Sequence, residues 1–415
     1  MSTPERSTVD VAVVGGSIAG CVAAIRLRQL GFEVAILDKK AMDDQSHKRL
    51  CTHFIQPHAT PVLADLGLAH LAERPWSVPT KAVFVTPGGL VEGPGPYLPG
   101  EQDLSALNLE RRVLDPALRA AAREHGVQYL DGTSVEQVEE DETGWTLDTT
   151  GDHGHRRFRA RLVVAADGRR SRLARLLGNP TEEHPNDRAA LFGYFTGVKT
   201  REDERSVFIM NDRDLACVYP LVEDRTQFVL FAEKSRVEGW HGADGRLGEF
   251  LAYFGDLPDA PPVADAVPET GLLGYADYPN QVRRPVVGSV PFVGDAALSL
   301  DPMSGIGCGF ALVSGDLLAR SFANRSLAGD DLAEGLAEYR RRFEEVLLPH
   351  AEGIIRDALV DKDEASQQRT FRIICDNPAL SQKYLALTGR MVLPGEFKRD
   401  LMRALMTRGS AGRGR

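Results

Sequence analysis

Val13-Val14-Gly15-Gly16-Ser17-Ile18-Ala19-Gly20, close to the start of the chain, is the stretch whose reading decides the fold. Residues 10–14 are a short apolar run of strand character, residues 18–30 repeat apolar side chains at helical spacing, and residues 33–37 read as the next strand. Strand, glycine turn, helix and strand make a βαβ unit. The glycines let backbone amides approach a phosphate, and the helix behind them aims free N–H groups at the same place. Asp38 ends the second strand, about twenty residues past the glycines, where a carboxylate accepts hydrogen bonds from a ribose. The pattern departs from G-x-G-x-x-G at Ser17, a small residue that still admits a pyrophosphate and adds a hydroxyl donor.

Two further segments work with the first. Ala165-Ala166-Asp167-Gly168-Arg169-Arg170-Ser171 lies mid-chain and Val293-Gly294-Asp295-Ala296-Ala297 lies near residue 300. Together, in this order, the three point to FAD as the cofactor. Asp301-Pro302-Met303-Ser304-Gly305-Ile306-Gly307-Cys308-Gly309-Phe310-Ala311 follows, and residues 312–323 continue at helical spacing. A helix beginning there presents uncapped amides and partial positive charge, which stabilise an anion without a side-chain acid.

Bulk properties narrow the function. The chain has 415 residues, 43% apolar and 26% charged, enough for a large core and ordinary for a globular protein. A net charge of −10 argues against nucleic acid as a partner. Residues 1–8 are polar and no apolar run approaches a membrane span, so the expectation is a cytoplasmic protein without an integral membrane segment. The five cysteines (Cys21, Cys51, Cys217, Cys308, Cys375) are scattered without Cys-x-x-Cys, which indicates neither a disulfide framework nor a metal site. Cys308 reads as a small buried residue or as a neighbour of the cofactor. Residues 87–100, rich in Pro and Gly, read as a loop bordering a pocket; residues 330–406 look helical, with breaks at Pro349 and Pro378, and the basic tail 398–415 ends in Gly409-Ser410-Ala411-Gly412-Arg413-Gly414, which reads as disordered.

With these motifs in hand, residues 8–350 resemble the single-component FAD monooxygenases of the p-hydroxybenzoate hydroxylase type, a superfamily shared with flavin-dependent halogenases and prenyl reductases. The resemblance implies an α/β fold: a glutathione-reductase-like FAD-binding domain with an inserted substrate-covering β-sheet and a C-terminal helical region. The implied division is FAD-binding domain 1–177, substrate sheet 178–284, a return segment 285–330, and C-terminal helices 331–415. By the same resemblance, Gly15, Gly16, Ser17 and Gly20 cradle the pyrophosphate and Asp38 binds the ribose. Arg111 reaches the ribityl or phosphate region, Asp167 and Gly168 touch FAD and help receive NAD(P)H, and Gly294 and Asp295 hold the ribityl. Pro302, Gly305, Ile306 and Gly307 run along the flavin. Arg49 lies near a family arginine, although strict register places Cys51 there. Arg169 and Arg170 are either partners for the reductant's phosphates or solvated cations.

The implied substrate pocket takes Phe54, Gln56, Tyr219, Pro220 and Met303, with His53 and Pro302 at the reacting centre. His53 reads either as a base acting on a phenol or as a histidine whose nitrogens are satisfied by the fold. The expected reaction is hydroxylation or epoxidation of a hydrophobic, aromatic or polyketide-like small molecule with NAD(P)H and O2. Two alternatives stay open. A halogenase would use Lys81 and a partner reductase, and a prenyl reductase would hydrogenate isolated double bonds. Leu298 stands where aromatic hydroxylases commonly carry a histidine, and Gly309 where they often carry an asparagine.

Overall fold

A computed structural model describes residues 5–411, apart from residues 42, 44, 45, 94–103, 153, 242 and 360–362. The chain opens with β1 (Glu5–Val14), α1 (Ile18–Gln29) and β2 (Val34–Leu37), the βαβ unit read from the sequence. β3 (Ala82–Thr86) and β4 (Gly89–Val91) follow, then α2 (Arg111–Glu124), β5 (Gln128–Leu130), β6 (Thr133–Asp141), β7 (Gly144–Gly151), β8 (Arg156–Ala165) and the short α3 (Arg172–Leu176). The first sheet has six strands in the order β5-β2-β1-β8-β7-β6. Its parallel heart reads as continuous apolar runs, because helices and sheet bury both faces.

The second sheet is built from β9 (Arg188–Thr196), β10 (Ser206–Asn211), β11 (Asp214–Pro220) and β12 (Thr226–Glu233), in the order β9-β12-β11-β10. β10 then pairs in parallel with β3, Ser206 opposite Ala82, and β4 closes that edge. Residues 82–91 therefore join the second sheet although they precede α2 in the chain. One face of this sheet packs on α4 (Ala243–Gly255) through Phe228, Phe250 and Phe254. The other carries Phe84, Phe208 and Tyr219, which pack with Phe54 of a separate short strand and with C-terminal helices.

After the return segment come α5 (Gly307–Ser321), α6 (Gly329–Val346), α7 (Leu348–Asp357), α8 (Glu364–Cys375), α9 (Pro378–Thr388) and α10 (Pro394–Ala411). Pro349 and Pro378 sit in the first turns of α7 and α9, where a missing N–H costs nothing. The last helix runs to Ala411, five residues past the expected helical stretch, so residues 409–411 of the ending read as disordered are helical. Phe397, Leu401 and Ala404 recur at helical spacing and join the apolar cluster behind the second sheet by packing on α7, α8 and α9. Residues 412–415, like 94–100 of the expected pocket loop, lie outside the described residues. No described helix is long and apolar enough to cross a membrane.

Candidate functional site

The register of the first sheet builds the site. Val14 pairs with Leu37 on one side and with Ala165 on the other, so β1, β2 and β8 end on one line. Phe292 bridges Ala165 in parallel, and Val293 N–H donates to Ala165 C=O (2.9 Å). Gly15–Ser17, Asp38, Asp167–Gly168 and Asp295 therefore meet at one sheet edge, outside the carboxyl ends of the strands. Gly15 has φ +108°, and a Cβ there would stand 2.3 Å from the Ala166 carbonyl oxygen, so only glycine makes this turn. A Cβ on Gly315 would come within 2.8 Å of the Ala19 carbonyl oxygen, and its absence lets α5 cross α1 closely.

A cavity of about 650 Å³ opens at this edge. Gly15, Gly16, Ser17, Asp38, Arg111, Asp167, Gly168, Asp295, Pro302, Gly305, Ile306 and Gly307 all line it. Neither α1 nor α5 has a side-chain cap at its N-terminus, so both direct uncapped amides toward one cavity. That arrangement suits a long ligand with a diphosphate at one helix end and a group that becomes anionic at the other.

Arg111 ties the wall together. Its side chain is 4% exposed, forms a fork onto Asp115 (Nε–Oδ1 2.6 Å, Nη2–Oδ2 3.0 Å), and donates to Ser17 Oγ (3.1 Å). Burial opposes the charge, but Asp115 and the neighbouring Cys308 and Cys51 more than offset it and hold the guanidinium protonated. The acid four residues along the helix was a signal available in the sequence. Lys48 Nζ lies 3.8 Å from Asp295 Oδ2, and that carboxylate raises the ammonium above its ordinary range against burial.

Several of the expected residues also serve the fold. Asp38 lines the cavity, yet Oδ2 already accepts from Gly16 N–H (3.1 Å) and Tyr129 O–H (3.2 Å), and Oδ1 from Lys40 N–H (3.1 Å). Asp167 accepts from Ser171 O–H and from Arg172 and Leu173 N–H, so its carboxylate fixes the start of α3. Gly20 and Gly294 are packing positions: a Cβ would strike the Gly15 carbonyl and Ala19 respectively. Arg49 is exposed and off the cavity wall. Arg169 stacks on Tyr278 (4.1 Å) and donates to Ser299 Oγ and Pro279 C=O, while Arg170 lines the cavity.

His53, Phe54, Gln56, Tyr219, Pro220 and Met303 are not on this wall, nor is Lys81. His53 Nδ1 accepts from Arg111 N–H (3.1 Å), which leaves the proton on Nε2, donated to Tyr194 Oη (2.7 Å). Both nitrogens thus serve the fold. Phe54 and Tyr219 pack in the aromatic core of the second sheet, with ring centroids 5.7 Å apart, and Met303 packs against the same core. Pro220 is buried, and its carbonyl accepts from Asn108 Nδ2 (2.8 Å).

Gln56 is buried behind the 305–309 loop, where its Nε2 and Arg390 Nη2 both donate to Ser304 C=O (3.3 and 3.1 Å). His58 and His350 flank Phe310 nearby. Burial, then Arg390, lowers His350 from 6.5 to about 3, and burial with Arg390 and His350 does the same to His58. The folded state keeps these rings neutral while the unfolded chain protonates near 6.5, so stability present above that pH is lost as pH falls toward 3. A His350→Gln variant should therefore lose about 2 kcal/mol less stability than the wild type between about pH 7 and pH 5, read by urea unfolding. Equal losses in the two proteins would refute the assignment.

The cavity also holds groups beyond the expected site, of which the sequence placed only Cys308 beside the cofactor. Phe192, Tyr275 and Tyr278 form an aromatic face, the Tyr275 hydroxyl pushed up to about 12 by burial. Cys51 Sγ and Cys308 Sγ lie 3.5 Å apart on the wall, and Arg111 Nη1 is 4.0 Å from Cys308 Sγ. The contact with Cys308 holds the Cys51 thiol below its ordinary range, helped by His53 N–H, which donates to Cys51 Sγ (3.3 Å), and the same contact together with burial pushes Cys308 up. No sequence spacing announces this pair. Behind Pro302, Asp301 is buried 3.5 Å from Arg188 Nη1, and burial raises its carboxyl despite that partner. No cluster of metal-ligating side chains occurs among the described residues.

The cavity wall fits FAD: two uncapped helix N-termini, glycines where side chains would intrude, and an acid at the end of β2. Bound there, FAD supplies two-electron redox chemistry. The chain is 29% identical to digeranylgeranylglycerophospholipid reductase 2 of Methanopyrus kandleri over 352 residues, covering 81% of this chain and 82% of that protein. Among solved structures, the flavin-dependent brominase Bmp2 superposes with a TM-score of 0.77 at 17% identity, over 99% of this chain and 100% of that one. The p-nitrophenol 4-monooxygenase of Pseudomonas putida superposes with 0.76 at 19% identity, over 94% and 99%. These two likenesses speak to the fold, which is the expected FAD-binding α/β architecture. The family model described as FAD binding domain matches residues 8–348, so the chain belongs to that family and is an FAD-dependent oxidoreductase.

Proposed function

We propose that this protein is an FAD-dependent reductase that saturates isolated carbon–carbon double bonds in a prenyl-chain small molecule. The observation that carries the reading is the sequence likeness to a digeranylgeranylglycerophospholipid reductase over four-fifths of both chains, whereas the brominase and monooxygenase likenesses are of fold. This ranks the prenyl reductase, an alternative at the level of sequence, above hydroxylation. The site supports it in two ways. His53, the base a phenol needs, is turned into the fold, and Cys308 Sγ holds a proton at the cavity wall. Each double bond takes up two electrons and two protons, the electrons reaching the flavin from NAD(P)H. The chain's residues bind the cofactor, exclude water with Phe192, Tyr275 and Leu300, and hold the proton.

Monooxygenation is the second reading, favoured by the aromatic face of Phe192, Tyr275 and Tyr278, which suits a planar substrate. Reduced enzyme under anaerobic conditions, mixed with a geranylgeranyl-chain lipid, should yield a product heavier by two hydrogens per saturated bond and free of new oxygen. A product formed only with O2, and carrying one of its oxygen atoms, overturns reduction and establishes the second reading.

A further inference from the structure

The outer face of α10 is not what a solvated terminal helix presents. Phe397, Leu401 and Ala404 face the core, yet Met402, Leu405 and Met406 on the other side are 45%, 37% and 69% exposed. Leu393, just before the helix, is also exposed. Lys398, Arg399 and Arg403 stand exposed beside this apolar row. Lys383 and Arg403 both engage Asp400, an acid of the same helix. Residues 394–415 carry six cations (Lys398, Arg399, Arg403, Arg408, Arg413, Arg415) against two acids, in a chain whose net charge is −10.

We propose that α10 docks this enzyme on an anionic lipid bilayer, its apolar row entering the headgroup boundary and its cations facing the phosphates. An apolar row flanked by Lys and Arg is the pattern of an interfacial helix, which lies in the membrane plane and does not span it. A protein partner that used the apolar row alone would not require positive charge concentrated at one end of an acidic chain. The charge complementarity selects a surface of negative charge. The acidic remainder of the protein is repelled from the same surface, which orients the molecule with α10 down. α10 packs on α7, α8 and α9, so docking sets that layer of helices nearest the bilayer. The proposal deepens the prenyl-lipid reading and rests on it for its purpose, since a lipid substrate resides where the helix docks.

Full-length FAD-loaded protein is mixed with vesicles of phosphatidylcholine alone or rich in phosphatidylglycerol, without substrate, and sedimented. Binding to the anionic vesicles only, reversed by raised salt, is expected. Lys398→Gln with Arg399→Gln should weaken it about 30-fold, at about fivefold per cation. Met402→Ser, Leu405→Ser and Met406→Ser together should abolish it while flavin absorbance and Tm stay at wild-type values. Equal partition of this triple variant and the wild type overturns the proposal, as does failure of the wild type to sediment. A wild type that elutes as a dimer through this face, with no vesicle binding, overturns it in favour of a second copy. Vesicle binding in a protein that reduces no prenyl lipid leaves docking in place and removes the substrate reading instead.

Discussion

Replacing Arg111 by leucine should destabilise the folded protein by about 3–5 kcal/mol, because it leaves a buried carboxylate without its partner. Asp115 is 7% exposed and receives both arms of the Arg111 fork; what remains to it afterwards is the Lys48 N–H at 3.0 Å. The same change frees Ser17 at the start of α1, so flavin should be lost along with stability. The double variant Arg111→Leu with Asp115→Leu separates the two effects. With both charges gone, more than half of the lost stability should return, as it does when a buried ion pair is replaced whole by apolar residues. Flavin affinity should not return, because the guanidinium at the cavity wall is still missing. Urea unfolding and flavin titration on the two proteins read the two quantities independently. A single variant as stable as wild type would show that the pair is not buried as described. A double variant with full flavin affinity would reduce Arg111 to a support for the fold.

The sheet edge was legible because its signals are local. Val11–Val14 and Leu162–Ala165 are short apolar runs ended by glycine or by Ala-Asp-Gly, and parallel strands buried on both faces always read so. The membership of β3 in the second sheet was not legible, since its parallel partner Ser206 lies far along the chain and neither segment's pattern names the other. The Cys51–Cys308 pair failed for the same reason. The helix at residues 394–411 is a different case. Phe397, Leu401 and Ala404 repeat at helical spacing and made the helix legible to residue 406, while the Gly- and Arg-rich ending hid only its last turn.

The pocket residues show a limit of another kind. Phe54, Tyr219 and Met303 are apolar in the way that cavity walls and packed cores both are, and residue type does not distinguish the two. His53 was read as a base or as a satisfied histidine, and the deciding fact, Arg111 N–H pointing at Nδ1, depends on a backbone approach from another segment. Residues named for glycine or charge at the strand ends fared better. Gly15, Gly16, Asp295, Gly305 and Gly307 are all at the cavity because turn geometry constrains glycine and strand register fixes the turns.

Gly307 offers the sharpest test of where the flavin lies. It is the first residue of α5, it lines the cavity, and a Cβ placed on it meets no heavy atom within 4 Å. A Gly307→Leu variant has room for its side chain and gains helix propensity, so it should fold with stability equal to or up to about 1 kcal/mol above wild type. The leucine then occupies the space in front of the helix amides. Flavin affinity should fall at least about a hundredfold, about 2.7 kcal/mol, in a fluorescence titration of the apoprotein. Gly309, two residues on, gives the contrast. A Cβ there stands 2.9 Å from Gln56 Oε1 and 3.1 Å from His58 Cε1, so Gly309→Ala should disturb the packing behind the loop and lower Tm. Gain of stability with loss of flavin at one glycine, and loss of stability at its neighbour, is a pair of opposite signs that general damage to the protein does not produce. A Gly307→Leu protein that binds FAD like wild type would place the flavin away from the α5 N-terminus, and the assignment of that helix end to the cofactor would fall with it.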